Sequence, residues 1–471
     1  MTRLAATLAA IFGAGAMLAA CNGESNEAGA DKAARLSNAS VETADGAPRD
    51  AYVAAQETSA SLNSLGEAFV KLALGVGEHD PDFVDAYHGP VDWAEEAKRQ
   101  QRPLDQLEAD AQGLLISISR ANAGGASVRG AMLEKQFRAA LTRIQMAQGK
   151  TFSFDEETRL LYDAVAPQYD LAEFDAALTE IDALLPGEGT LSDRVEAFRN
   201  SLAVPEDKLQ AVFDAAIAEC RKRTLAHYGL PETESFRLEF VTDKPWSGYN
   251  WYQGDYESLI QVNTDFPIII DRAVDLGCHE GYPGHHVWNV FIERDLLDGA
   301  GWIEYSVYPL FSPMSVTAEG SANYGIELAF PDKEKIAFER NVLFPLAGLD
   351  PEKAATLEQL NDLRRKLSHA RNHIAREYLD GRLSRDEAVE LSMKYRLESR
   401  ERAEQSIRFI ETYRGYVLNY NLGRDLVEGF VEHQAALNGG DRWAAFETLL
   451  TTPLSASDIA QASSTSGGAG E

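Results

Sequence analysis

The chain has 471 residues, a net charge of −30 and a hydrophobic share of 45%. That composition belongs to a globular protein with enough chain to bury a substantial core, and it excludes a disordered polymer. With 74 acidic residues against 44 basic ones and no basic stripe, nucleic acid is excluded as a partner. The acidic side chains are dispersed along helical stretches and read as solvated surface.

Residues 1–20 read as an export signal. Arg3 supplies a positive start, Leu4 to Met17 is apolar, and Leu18-Ala19-Ala20-Cys21 matches a bacterial lipobox. Cleavage before Cys21 and acylation of its thiol are expected, so Cys21 is the predicted lipid anchor. Asn22 resembles the residue found after the cysteine in lipoproteins sent to the outer membrane. The expected location is therefore the bacterial cell envelope, lipid-anchored to the outer membrane and facing the periplasm or the surface. No later stretch is apolar and long enough to span a bilayer, so the chain is read as anchored to a membrane rather than crossing it. Residues 21–50 are rich in Ala, Asp, Glu, Ser, Asn and Gly, lack aromatics, and read as a flexible tether.

From 51 to 234 the pattern is helical, with apolar residues recurring at three and four in Ala51–Leu74, Val91–Ala123, Leu133–Gln148 and Glu206–His227. The character changes near residue 235. Ser235–Val241 alternates polar and apolar as a half-buried strand does, Tyr249–Tyr256 is aromatic and glycine-punctuated, and Glu257–Val262 reads as another strand. A helix is expected at Val287–Leu297, a loop at Gly299–Pro313 and a helix at Ser315–Leu328. Helical patterns resume from Pro351 to about His433, and a last helix covers Asp441–Leu450. The predicted fold is mainly α with a small β-sheet (α+β). Residues 51–234 and 235–455 form one compact unit, the latter catalytic, and residues 456–471 are a flexible tail. Cys220 and Cys278 remain after lipidation. They could form one bridge, but no disulfide scaffold is indicated, and Cys278 is expected to pack as a small buried side chain.

The segment His279-Glu280-Gly281-Tyr282-Pro283-Gly284-His285-His286 carries the chemistry, with three of the nine histidines in eight residues. It reads as His-Glu-x-x-His with a Pro-Gly pair inserted, where two histidines hold zinc and the glutamate works on a zinc-bound water. On an unbroken helix the spacing fails: i+4 is Pro283, His285 at i+6 points to another face, and His286 at i+7 lies two turns on, about 10 Å along the axis. Pro283 has no N–H and crowds the carbonyl of His279, and Gly281 and Gly284 allow unusual backbone angles. A local bulge or break is therefore expected there. Looping out Pro-Gly brings up His285, and one residue more brings up His286; His285 is favoured, with the other as support.

A third ligand should come from downstream, and Glu319 is the best candidate, with Glu327 behind it. Two histidines and a glutamate leave a coordination position open for water, as in catalytic sites. The expected metal set is thus His279, His285, His286 and Glu319 around Zn2+, with Glu280 as general base. Tyr324, Tyr420 and Arg408 are candidates to stabilise an oxyanion. His369 and His373 also sit at i and i+4, but no glutamate follows His369 and the surroundings are basic.

The histidine segment resembles the signature of the bacterial "domain of unknown function 885" family. Asp80–Tyr87 with Gly89-Pro90, Asn263-Thr264-Asp265 with Pro267, Glu319-Gly320 with Ala322 and Tyr324, and Arg408, Tyr420 and Gly423 extend the likeness over roughly residues 60 to 430. Ser321 and Leu379 depart from the family's pattern, which marks a divergent, lipoprotein-type member. The resemblance implies a zincin-like metallopeptidase core inside a large helical domain. The expected activity is metal-dependent hydrolysis of short peptides or another small amide or ester. The rival expectation is a catalytically inactive ligand- or peptide-binding lipoprotein.

Overall fold

The computed structural model describes residues 49–464 apart from Pro245. The export signal, Cys21, nearly all of the tether and residues 465–471 lie outside the described residues. No described helix is long and apolar enough to cross a membrane.

The described chain is mostly helical with little sheet. Its first helices, Arg49–Gly77, Leu104–Ala121 and Val128–Ala147, pack into one core around Phe69, Leu107, Ile118, Phe137 and Ile144. Helix starts follow sequence chemistry. Ser127 caps through the Gly130 N–H, and Ser153 and Ser384 form capping boxes with Glu156 and Glu387. The continuous pattern from Val91 to Ala123 is in fact two helices, Val91–Gln100 and Leu104–Ala121. Pro103 precedes the second and cannot continue the first.

Five strands are present among the described residues. Strands β2 (Ser235–Val241), β3 (Gly248–Gly254) and β4 (Glu257–Asn263) form one sheet in the order β2-β4-β3, with β2 parallel and β3 antiparallel to β4. This is the small sheet expected just before the histidines. Alternate residues of β4, Ser258, Ile260 and Val262, are buried beneath them. Strands β1 (Val84–Tyr87) and β5 (Val307–Pro309) pair antiparallel. The stretch 299–313, expected to be a loop, therefore contributes a strand, a pairing across more than 200 residues of chain.

Two further expectations change. Residues 456–464 are not tail: Ala456–Ser464 is a helix with Ala456 and Ile459 buried, lying against the Leu418–Leu437 helix. Cys220 and Cys278 are disulfide-bonded and both fully buried. The bridge fastens the Leu209–Leu225 helix to the turn that carries His279. The second core, around Phe213, Val274, Val287, Phe291 and Phe446, packs this region together.

Candidate metal centre

Helix Arg272–Leu276 runs into a single wide π-turn, Gly277–Gly281, and then stops. A new helix starts at His285 and runs to Phe291. Between them the Tyr282–Pro283 peptide is cis, and the Gly284 N–H donates to the Cys278 carbonyl at 3.0 Å. Gly284 has no substitute here, because a Cβ on it would overlap the backbone carbonyls of His279 and Cys278. The break thus falls at the Pro-Gly pair. It places His279 at the end of one helical segment and His285 at the start of the next.

The two rings meet edge to face, 4.7 Å between centroids. Glu319 reaches them from the Met314–Ala329 helix. Its Oε2 lies 3.4 Å from His279 Nε2 and 3.8 Å from His285 Nε2, and one ligand atom from each of the three residues lies within 4.8 Å of the others. Ligand atoms arranged tetrahedrally at about 2.1 Å from a zinc ion stand about 3.4 Å apart, so both distances from Glu319 suit a shared cation. Glu319 Oε2 is buried and has no hydrogen-bond partner among the described residues, while Oε1 accepts from the Tyr416 hydroxyl at 2.7 Å.

The hydrogen bonds around His279 settle its tautomer. The Asn323 Nδ2 donates to the Tyr420 carbonyl at 2.9 Å, which turns Asn323 Oδ1 toward His279 Nδ1 at 3.1 Å. An amide oxygen only accepts, so Nδ1 carries the hydrogen and the Nε2 lone pair faces the carboxylate. Two lone-pair atoms facing each other in a buried place call for positive charge between them. The electrostatics agree. Burial opposes charge on His279, yet the Glu319 carboxylate draws its imidazole above the usual value. Burial, with His279 alongside, holds His285 down at about 4, a neutral ring with a lone pair to give.

Glu280 shares the turn but stays out of the trio. Its carboxylate is buried, lies beside Gly248 of β3 and makes no hydrogen bond among the described residues. Burial, with Glu319 adding, pushes it up to about 7. All four groups open onto a cleft of about 1900 Å³, also bordered by Tyr249, Tyr308 and Tyr420. The Tyr420 hydroxyl makes no hydrogen bond among the described residues, and burial beside Glu319 and Glu280 keeps it protonated.

Other expected site residues are placed elsewhere. His286 is not in the trio. Its ring is fully buried on the far side of the new helix, with Nε2 3.0 Å from Glu234 Oε2 and Nδ1 2.8 Å from Ser258 Oγ. One residue along a helix turns a side chain by about 100°, which is why only one of the neighbouring histidines reaches the cleft. Tyr324 donates to Glu432 at 2.9 Å and packs on Phe446, away from the cleft. Arg408 is exposed on the outer face of the Arg400–Tyr413 helix. The fallback ligand Glu327 is bound to Arg424 at 2.6 Å. His369 lines the cleft but pairs with Asp425 at 2.9 Å and stacks on Tyr169, and His373 is half-buried without a second ligand.

Several residues of the site carry no readable signal in the sequence. Tyr416 and Asn323 support the ligands, and Arg371 enters the cleft against Tyr420. Tyr249 donates to Asp85, whose carboxyl burial pushes up to about 6. The segment at Asp80–Tyr87 gives no hint of that pairing, because it forms only when β1 meets the sheet region.

No family model matches the chain, and no curated protein matches it. Among solved structures the chain is similar to one described as a "putative lipoprotein" from Colwellia psychrerythraea. The two are 14% identical over 78% of this chain and 71% of that one, with a TM-score of 0.48.

Proposed function

We propose that this chain is a metal-dependent hydrolase of the bacterial envelope, a zinc peptidase with a zincin-like centre related to the "domain of unknown function 885" family. The observation that carries the reading is the convergence of His279, His285 and the unpartnered Glu319 oxygen on one point, with Glu280 beside them in the cleft. A bound Zn2+ supplies Lewis acidity, polarising a scissile carbonyl and acidifying water.

The protein's own groups do the rest. His279, His285 and Glu319, which all line the cleft, would hold the ion. Glu280 accepts the proton of the attacking water and returns it to the leaving group. The free Tyr420 hydroxyl donates to the oxygen on which negative charge develops. A lipid on Cys21 would hold the enzyme at the outer membrane, and the buried Cys220–Cys278 disulfide suits an exported protein.

The test is metal content with turnover. Purified protein should bind one zinc per chain, and His279→Ala, His285→Ala or Glu319→Ala should abolish it, whereas His286→Gln should leave it in place. Glu280→Gln should keep the zinc and lose at least 100-fold in peptide hydrolysis. Full turnover in Glu280→Gln, or zinc retained by Glu319→Ala, rejects the assignment.

A further inference from the structure

The protein is acidic overall, yet arginines line the cleft among its acids. Most of its arginines are already matched to carboxylates. Arg199 pairs with Asp271 at 3.4 Å, Arg396 with Glu398 at 2.7 Å and Arg424 with Glu327 at 2.6 Å. Arg364 and Arg371 are different. They close the Ala354–Lys366 helix and open the Ala370–Leu379 helix, and both line the cleft. Neither has a carboxylate within 4 Å or a side-chain hydrogen bond among the described residues, and Arg371 Nε is buried with no partner.

Acids on the same cleft already hold other partners. Glu398 is engaged by Arg396, Ser392 and Ser406, Asp271 by Arg199 and Asn361, and Asp425 by His369. Arg371 lies over the rings of Phe409 and Tyr420, at 5.0 and 5.6 Å. Tyr420 in turn is bonded through Asn323 to His279. The Arg371 guanidinium is therefore a short chain of contacts from the ligand set and faces the same cleft. A guanidinium without a carboxylate partner is open to one brought by a ligand. Arg199 and burial lower Arg364 to about 9, and burial with Arg396 lowers Arg371 to about 10. The free protein thus leaves both guanidiniums without a carboxylate, as it does Arg402, which lies over Phe266 on the same cleft.

We propose that Arg364 and Arg371 form a carboxylate-binding subsite, and that the metal centre therefore acts on peptides that present a free carboxylate to these arginines. The planar guanidinium fork matches a carboxylate in two parallel hydrogen bonds, which a neutral amide cannot reproduce. The carboxylate can be a chain terminus or an acidic side chain. This inference rests on the hydrolase reading for what happens to the bound peptide, but not for the binding itself.

The experiment uses the zinc-loaded Glu280→Gln chain, which should bind without turnover. Calorimetric titration compares N-acetyl-Ala-Phe, its C-terminal amide, and an N-acetyl-Glu-Phe amide. The free acid should bind at least tenfold more tightly than the plain amide. Recovery of tight binding by the glutamyl amide assigns the subsite to acidic side chains, and weak binding of it assigns the subsite to chain termini. Arg364→Met and Arg371→Met should each remove most of the preference and the double variant all of it, while Arg408→Met leaves it intact.

Equal affinity for all three probes, no binding of any, or a preference that survives the double variant overturns the subsite. Selective binding with no hydrolysis by the zinc-loaded wild type would instead reject the hydrolase reading and leave the subsite standing.

Discussion

Glu234 offers the sharpest test of how the histidine segment is held. Its side chain, 1% exposed, accepts from the Tyr282 hydroxyl at 2.6 Å, faces His286 Nε2 at 3.0 Å and is bonded by Arg221. Burial opposes its charge, but His286, Tyr282 and Arg221 outweigh it and hold the carboxyl down from 4.5 to about 2. A folded value below the unfolded one contributes stability that is present above pH 4.5 and is lost as pH falls toward 2. At about 1.4 kcal/mol per pH unit the contribution is about 3 kcal/mol. Glu234→Gln keeps the shape and removes the titration. At pH 7 the variant should be less stable by about 3 kcal/mol, and the gap should close as pH falls from 4.5 to 2.5. Urea unfolding followed by circular dichroism at five pH values measures it. A gap that stays constant across this window, or no gap at pH 7, refutes the account of Glu234 as the charged anchor beneath His286.

Two further outcomes follow from the site. Tyr416→Phe removes the hydroxyl that holds Glu319 Oε1, so zinc affinity, measured by competition with a chromogenic chelator, should fall about 10–100-fold with the fold intact. Gly284→Ala drives a methyl group into the carbonyls of His279 and Cys278. It should cost about 3 kcal/mol in urea unfolding, and the protein should be recovered without zinc.

The parts of this site that are legible in sequence are those set by local backbone chemistry. Pro283 and Gly284 announce a break because one lacks an N–H and the other lacks a Cβ, and the chain breaks between Gly281 and His285. Strands β2 and β4 are legible because they bury one face and so alternate. Choosing between His285 and His286 demands the direction in which a new helix starts, and spacing alone does not contain it.

Tyr416 and Arg371 lie about 100 and 50 residues from Glu319 and matter only through folding, as does the β1–β5 pair. The cysteines stand 58 residues apart, and without a dense framework their spacing does not reveal the bond. Tyr324 and Arg408 have the right chemistry for the cleft but turn to other faces of their helices, where Glu432 and solvent take them.

Gly320 and Gly423 meet where the Met314–Ala329 helix crosses the Leu418–Leu437 helix, so closely that a Cβ on Gly320 would overlap the Gly423 carbonyl. Glu319 and Tyr420 therefore ride on one welded slab. His279 and His285 lie on a stretch stitched to the Leu209–Leu225 helix through Cys278. The three candidate ligand atoms come from both of these stretches. A cation bound there would act as a rivet between them as well as a reagent.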